Sequence, residues 1–136
     1  MYKKIFYVKV TKLLVLLSLI SLSSVVQADI LDKNRIEKDR EDIACNSPME
    51  VISSISTFKA GDKIPLHFHN GIETAYTIKG ATLINDEGKQ VIMKTGDTLI
   101  AMRNKIHGGV TIAPQNELKL FIVHIVDKNK PLYNLK

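Results

Sequence analysis

The sequence predicts an all-β fold, an antiparallel sandwich or barrel, and three observations support this class. Short runs rich in β-branched and aromatic side chains recur along most of the chain. Turn signals built from Gly, Asn, Asp or Pro separate these runs roughly every 8–12 residues, which gives about eight to ten short strands. The sequence also carries no Walker loop, Rossmann fingerprint, internal repeat or low-complexity tract.

Residues 1–28 have the composition of a cleavable signal peptide. Four lysines lie near the start, residues 13–26 form an apolar run broken only by serines, and Val-Gln-Ala at residues 26–28 ends it. The apolar run is short for a membrane span. We therefore predict cleavage after Ala28 and a periplasmic or secreted protein with no membrane span after cleavage. A retained N-terminal anchor is the alternative.

The charge of the mature chain gives no reason to expect a nucleic-acid partner. The full sequence has 19 Lys and Arg against 14 Asp and Glu, a net charge of +5. Four of those lysines and none of the acids lie in residues 1–28, so 15 basic and 14 acidic groups remain, a net +1. Residues 29–136 are enough for one domain. The single cysteine, Cys45, excludes an internal disulfide.

Each strand is placed by β-forming residues between turn signals. The charged segment 29–48 is an N-terminal arm or an edge strand, and the barrel is expected over residues 49–136. Strands are predicted at residues 49–58, around His67 and His69, and at 74–79, 81–85, 90–93, 98–102, 110–113 and 118–126. The run 118–126 is almost entirely apolar, so both of its faces are expected to be covered. Residues 129–136 are expected to form a tail.

Two histidines one residue apart, His67 and His69, mark a candidate metal site. Side chains alternate along a strand, so both imidazoles would point to the same face, with Phe68 on the other. Pro65 precedes them and keeps this segment extended. An isolated pair of this kind also occurs on strand surfaces, so the metal interpretation requires further ligands.

Glu73 and His107 supply those further ligands. The Asn70-Gly71 turn signal can return Glu73 beside the two imidazoles. Two imidazoles and a carboxylate can hold a divalent transition metal with coordination positions left open. The prediction is one divalent metal at His67, His69, Glu73 and His107, with iron, manganese, zinc, nickel and copper all suited to the donor set.

The same alternation predicts what surrounds Glu73. If its side chain points inward, Ala75 and Thr77 also point inward, while Tyr76 and Ile78 point outward. The small inward side chains Ala75 and Thr77 would then line a pocket beside the metal and leave room for a small-molecule ligand.

The residues of this stretch resemble the first motif of the cupin superfamily. Every fixed position of that motif is present in register: Gly61, His67, His69, Glu73 and Gly80. The resemblance extends over roughly residues 33–134. It implies a double-stranded β-helix, the jelly-roll form of cupins, with a first edge strand at residues 34–40.

The second cupin motif is matched in part. Gly96 and His107 stand at the expected distance, whereas Met102, Asn104 and Thr111 replace the Pro, Gly and Asn of the motif. The replaced positions shape a turn and carry no metal ligand, so the ligand set is intact. Asn can adopt the left-handed backbone conformation that the turn glycine would use.

The resemblance implies three hypotheses for function. The first is a small metal-dependent oxygenase of the quercetin dioxygenase-like type, with Glu73 as a metal ligand or as the base that takes a substrate proton. The second is a non-catalytic cupin that binds or senses a sugar or an anion. An isomerase or lyase is the third, and it is less supported because no further inward acid or base can be placed from the sequence.

Two features of the last long strand complete the prediction. His124 lies between Val123 and Ile125 and is expected to be a core or interface histidine rather than a metal ligand. The apolar residues on both faces of that strand, together with Tyr76 and Ile78, predict a homodimer, with a monomer as the alternative.

Overall fold

Antiparallel strand pairing organises residues 31–136, the part of the chain that this computed structural model describes. The strands, in chain order, are β1 (Arg35–Asp42), β2 (Met49–Lys59), β3 (Lys63–Ile64), β4 (His67–Phe68), β5 (Gly71–Lys79), β6 (Ala81–Asn85), β7 (Gln90–Met93), β8 (Thr98–Ala101), β9 (Val110–Ile112), β10 (Glu117–Asp127) and β11 (Asn134–Leu135). The predicted signal peptide, residues 1–28, lies outside the described residues. Within residues 31–136, no helix has the length and apolar character needed to span a bilayer.

The strands form two main sheets and one short pair. The larger sheet has the order β1-β2-β10-β5-β8, and the smaller has the order β3-β9-β6-β7. The third unit is the pair β11-β4. Neighbours such as β2 and β10 are distant in sequence, so the chain passes repeatedly from one sheet to the other. This topology is the double-stranded β-helix, which confirms the predicted fold class.

Residues from both sheets make up the hydrophobic core. Along β2 and β10 the burial alternates residue by residue, as expected when one face of a sheet packs inward. The core cluster combines Phe58, Leu118, Leu120 and Ile122 of the larger sheet with Ala81, Leu83 and Ile112 of the smaller one. Each fully buried aliphatic side chain contributes about 1.5–3 kcal/mol, so the apolar core holds the barrel closed independently of any ion.

Most predicted strands appear close to their predicted bounds. β6 and β7 have the predicted limits and pair as an antiparallel hairpin, while β10 is one residue longer at each end. β1 pairs with β2 at the border of the larger sheet, as expected for an edge strand. Asn104 has φ of 60°, the left-handed conformation predicted for it, and its N–H donates to the carbonyl of His69 at 3.1 Å.

Three details add to the sequence prediction. Residues 129–136 are more than a tail, because they contain β11, which pairs with β4. The outer face of β10 is partly buried within the described chain: Phe121 is 39% exposed, whereas Val123 and Ile125 are half-buried. Cys45 is exposed in the connection between β1 and β2.

Candidate metal centre

Four side chains from three segments converge at one point inside the barrel. His67 lies on β4, His69 in the link to β5, Glu73 on β5, and His107 before β9. One ligand atom from each of them lies within 4.8 Å of the others. The His67 and His107 backbones are joined by two hydrogen bonds, His67 N–H to His107 O at 3.0 Å and the reverse at 2.9 Å. Segments 40 residues apart are thereby held side by side.

A backbone carbonyl fixes the orientation of each imidazole in the cluster. A carbonyl can only accept a hydrogen bond, so the Nδ1 atom facing it must carry the proton and Nε2 keeps its lone pair. The three pairs are His67 Nδ1 to Pro65 O at 2.8 Å, His69 Nδ1 to Leu132 O at 2.6 Å, and His107 Nδ1 to Lys105 O at 2.9 Å. Histidine ligands of metals are usually oriented by such outer partners.

The atoms that face each other in this cluster fit a bound cation. Nε2 of His69 lies 3.0 Å from Oε2 of Glu73, and Nε2 of His107 lies 3.6 Å from Oε1. Both nitrogens are buried and have no hydrogen-bond partner among residues 31–136. With the proton on Nδ1, a neutral imidazole presents its Nε2 lone pair to the ionised oxygen, so either a second proton on Nε2 or a bound cation must lie between the two atoms. The buried cluster could therefore bind a divalent metal ion.

The Glu73 side chain stays ionised in this buried position. Burial by itself would raise its pKa, but the imidazoles of His107, His124 and His69 outweigh that effect and hold the pKa well below its usual range. For His107 burial favours the neutral form, yet Glu73 and the Lys105 carbonyl raise the pKa overall. Without a metal, His107 is therefore the cluster imidazole best placed to carry the compensating proton.

His124 touches the cluster through Glu73. The residue is completely buried on β10, directly opposite Glu73 on β5, and its Nε2 donates to Glu73 Oε2 at 3.0 Å. It is not among the four residues that form the cluster. Sequence reasoning placed His124 in the core but missed this contact. The contact exists because β10 lies next to β5 in the sheet, and the sequence does not specify that strand order.

Substituting His124 with phenylalanine is expected to weaken metal binding without abolishing it. The ring volume is kept, but Glu73 loses a donor that orients its carboxylate, and losing an outer partner typically costs about 10–100-fold in metal affinity. The variant should still bind close to one metal per chain, with the affinity measured by chelator competition. Ile112→Val is a matched core control that should leave the affinity unchanged. Equal affinity in His124→Phe and the wild type would contradict this role.

A cavity of about 400 Å³ adjoins the cluster. Its wall is mostly apolar and comes from both sheets, with Phe58, Ile64, Leu83, Met93, Leu99, Leu118, Leu120 and Ile122 among its residues. His67, Glu73 and His107 border it, as do the exposed residues Ile100 and Lys105. The volume falls in the range of small-molecule sites. Three of the four cluster residues therefore border a space that a small molecule could occupy.

Ala75 and Thr77 do not border this cavity. Burial alternates along β5 as predicted, with Glu73, Ala75 and Thr77 inward and Tyr76 and Ile78 outward. Ala75, however, belongs to the packed hydrophobic core. Thr77 is held at the end of its strand by backbone hydrogen bonds with Gly96 and Asp97. The cavity is bordered instead by larger apolar side chains of both sheets.

Tyr133 is a residue of the site that sequence reasoning missed. Its ring packs edge-on against His67 and His69, with ring centroids 5.6 and 5.4 Å away, and it borders the cavity. Burial raises the pKa of its hydroxyl, so the side chain stays neutral. No local signal in the sequence could have placed it, because residues 129–136 have no strand pattern of their own.

Acidification is expected to destabilise the metal-free protein between about pH 6.5 and pH 4. Burial lowers the pKa of His67 from 6.5 to about 4, so within this window the unfolded chain binds a proton that the folded chain does not. This contribution to stability is complete above the unfolded pKa and disappears as the pH falls to the folded one. For His67 the loss is on the order of 3 kcal/mol. Burial also lowers the pKa of His124, which adds to the loss of stability at low pH. The raised pKa of His107 has the opposite effect on the free energy of unfolding.

Urea unfolding of the metal-free protein at several pH values measures this effect. The free energy of unfolding should fall across the window, and the fall should be smaller in His67→Ala because the titrating group is gone. An equal fall in His67→Ala and in the wild type would contradict the buried, neutral state of His67.

The fold and the site together define a class of protein. A double-stranded β-helix that gathers three histidines and a glutamate beside an apolar cavity is a small barrel protein with a candidate metal centre. Residues 54–124, more than half of the chain, match the sequence family described as the cupin domain. The chain therefore belongs to the cupin superfamily.

Solved structures with the same fold carry several different descriptions. The polyketide cyclase RemF from Streptomyces resistomycificus is 17% identical, with a TM-score of 0.54 over 76% of this chain and 71% of that chain. The cupin domain of Cnp3 from Schizosaccharomyces pombe is 14% identical, with a TM-score of 0.52 over 68% and 60%. The DMSP lyase DddQ from Ruegeria pomeroyi is 15% identical, with a TM-score of 0.50 over 63% and 43%.

These likenesses concern the fold alone. The chain spans less than two thirds of the Cnp3 and DddQ chains, and all three identities are below 20%. Among curated protein sequences, no match was found. A cyclase and a lyase on one scaffold illustrate that the barrel does not determine the reaction, so the function must be argued from the site.

Proposed function

We propose that this protein is a metal-dependent cupin enzyme, a small oxygenase of the quercetin dioxygenase-like type. The observation that carries the proposal is the meeting of three imidazoles and one ionised carboxylate beside an apolar cavity, with the Nε2 atoms of His69 and His107 lacking a hydrogen-bond partner among the described residues. A divalent metal held by His67, His69, Glu73 and His107 would supply Lewis acidity and open positions for a substrate oxygen or dioxygen.

The residues of the chain prepare the site for this chemistry in two ways. Glu73 borders the cavity and is kept as a carboxylate by its imidazole neighbours, which suits it to the role of an anionic metal ligand. The same lowered pKa makes it a weak proton acceptor, so the base role is the less supported of its two alternatives. The apolar side chains around the cavity exclude water from the reacting groups. Tyr133, half-buried beside His67, adds a neutral aromatic side chain to the border of the cavity.

The cavity favours a largely apolar small molecule with an oxygen at one end. Sugars need several hydrogen-bonding side chains, and anions need cationic ones. Among the residues that border the cavity, polar groups are few, and Lys105, its lysine, is exposed to solvent. The non-catalytic alternative, a cupin that binds a sugar or an anion, is therefore less well matched to the wall than a phenolic substrate.

Dioxygen uptake tests the proposal. The full chain would be loaded in turn with iron, manganese, zinc, nickel and copper, and uptake would be followed with a panel of phenolic and thiol substrates. We expect uptake with at least one redox-active metal and a phenolic substrate, and its loss in Glu73→Gln. If members of the panel bind but no dioxygen is taken up, the oxygenase proposal is wrong and the non-catalytic binding protein is favoured.

We also propose a homodimer formed through the outer face of the larger sheet. Tyr76 and Phe121 are paired across β5 and β10 and are 48% and 39% exposed, with Ile78 on the same face. Adjacent large apolar side chains at the surface are typical of subunit interfaces. Light scattering after size exclusion should give twice the chain mass, and Phe121→Glu should give the monomer mass. A monomer in the wild type would end the dimer proposal.

Export to the periplasm or the exterior is proposed from residues 1–28, which lie outside the described part of the chain. The supporting observations are the four lysines, the apolar run and the small residues before Asp29. N-terminal sequencing of the protein from the expected compartment should begin at Asp29. An intact Met1 in protein that stays with the membrane fraction would favour the retained anchor instead.

A further inference from the structure

We propose that the C-terminal segment, residues 131–136, is a working part of the metal centre and positions the His69 imidazole. This inference rests on the proposed metal site and goes beyond the four ligands. The segment follows the part of the chain that matches the cupin domain family, residues 54–124, so the family match does not account for it.

The segment is attached to the strand that carries the histidines. β11 pairs with β4 in antiparallel register, with Leu135 opposite His67 and Asn134 opposite Phe68. Further hydrogen bonds run from Lys136 N–H to Leu66 O at 3.1 Å, from Asn134 Nδ2 to Phe68 O at 3.3 Å, and from Asn70 Nδ2 to Pro131 O at 3.4 Å. Leu135 and Tyr133 also pack against the hydrophobic core. These contacts hold the segment in one place relative to His69.

His69 depends on this segment in a way that His67 and His107 do not. The carbonyls that orient His67 and His107 come from residues two positions earlier in their own segments. The carbonyl that orients His69 is that of Leu132, 63 residues later, at 2.6 Å from Nδ1. Without it, the buried Nδ1–H of His69 would have no acceptor and the tautomer with the lone pair on Nε2 would no longer be favoured.

Tyr133 limits the movement of the same ring. It packs edge-on against His69, with the ring centroids 5.4 Å apart. The ring centroid of His124 lies 4.7 Å from that of His69. His69 is itself only 1% exposed. The imidazole is thus oriented by one hydrogen bond from the C-terminal segment and enclosed by an aromatic side chain of the same segment.

A single-atom change in the backbone tests the hydrogen bond. Replacing Tyr133 with its α-hydroxy acid analogue turns the Leu132–Tyr133 peptide bond into an ester, whose carbonyl is a weaker acceptor, and leaves every side chain in place. Losing an outer partner typically weakens metal binding by about 10–100-fold, so we expect zinc affinity to fall about tenfold. Chelator competition measures the affinity, and the visible spectrum of the cobalt form reports the ligand geometry. An ester between Asn129 and Lys130 is the matched control.

Truncation provides an independent test. A chain that ends at Lys130 should lose more zinc affinity than the ester variant, whereas a chain that ends at Leu135 should keep the wild-type affinity. Ile112→Ala, a core change away from the cavity, controls for general destabilisation and should melt earlier with its zinc affinity unchanged.

The outcomes separate this inference from the proposed function. Wild-type zinc affinity and cobalt spectrum in the ester variant would overturn the positioning role and leave the metal site intact. A wild-type protein that binds neither zinc nor cobalt would overturn the metal site itself. If the chain that ends at Lys130 does not fold, the ester variant, which keeps all side chains, decides the question.

Discussion

Replacing His67 with alanine is expected to abolish stoichiometric metal binding while the barrel still folds. The substitution removes one of four ligands, so the loss of affinity should exceed the 10–100-fold typical of an outer partner. Metal content should fall from close to one ion per chain to near zero after gel filtration, as measured by elemental analysis. The hydrophobic core between the sheets contains none of the histidines of the metal centre, so circular dichroism should still show a β-sheet protein.

His107→Ala provides a second test of the same donor set. It removes a ligand that lies on a different segment and is partly exposed, so its effect on folding should be smaller still. The expected metal content is again near zero. Full occupancy in either variant would show that the ligand assignment is wrong, whatever the activity of the protein.

Gly71→Ala is expected to destabilise the fold by at least about 4 kcal/mol, a loss seen only for severe changes. A Cβ atom at this position would overlap the carbonyl oxygen of Ile125 and lie 2.6 Å from the Cα of Val126. Both atoms belong to the backbone of β10, which cannot withdraw without breaking its pairing with β5. Urea unfolding of the metal-free protein measures the loss, or the variant accumulates as insoluble protein.

Gly88→Ala is the matched control for this prediction. Gly88 lies in the hairpin between β6 and β7 with φ of +78°, and a Cβ atom there would have no neighbour within 4 Å. Its cost should be limited to the left-handed backbone, about 1–2 kcal/mol. A similar loss of stability in both variants would argue against the close approach of β5 and β10.

The sequence carried enough local information to predict the strands and the ligand candidates. Alternation along β5 predicted which side chains turn inward, because a strand has only two faces. Spacing and a family resemblance placed His67, His69, Glu73 and His107 as ligands, and the structure brings these four together. These successes concern residues whose partners are close in sequence or belong to a known motif.

Contacts set by the order of strands in a sheet could not be predicted in the same way. The hydrogen bond from His124 to Glu73 requires β10 to lie beside β5, and no pattern within either strand specifies that neighbour. The carbonyl of Leu132 reaches His69 only because the chain end returns to β4. Larger side chains from both sheets border the cavity, whereas Ala75 and Thr77 do not, and this again depends on how the two sheets face each other.

The paired backbone hydrogen bonds between His67 and His107 bear on when the ion is acquired. Two ligands from distant parts of the chain are already neighbours through their main chains, so an arriving ion does not have to close the intervening loop or supply the entropy of that closure. Folding and metal loading would then be separate events in time. If the candidate centre binds a metal as proposed, the folded barrel should exchange it with a stronger chelator without unfolding, and the supply of metals after folding should decide which one it carries.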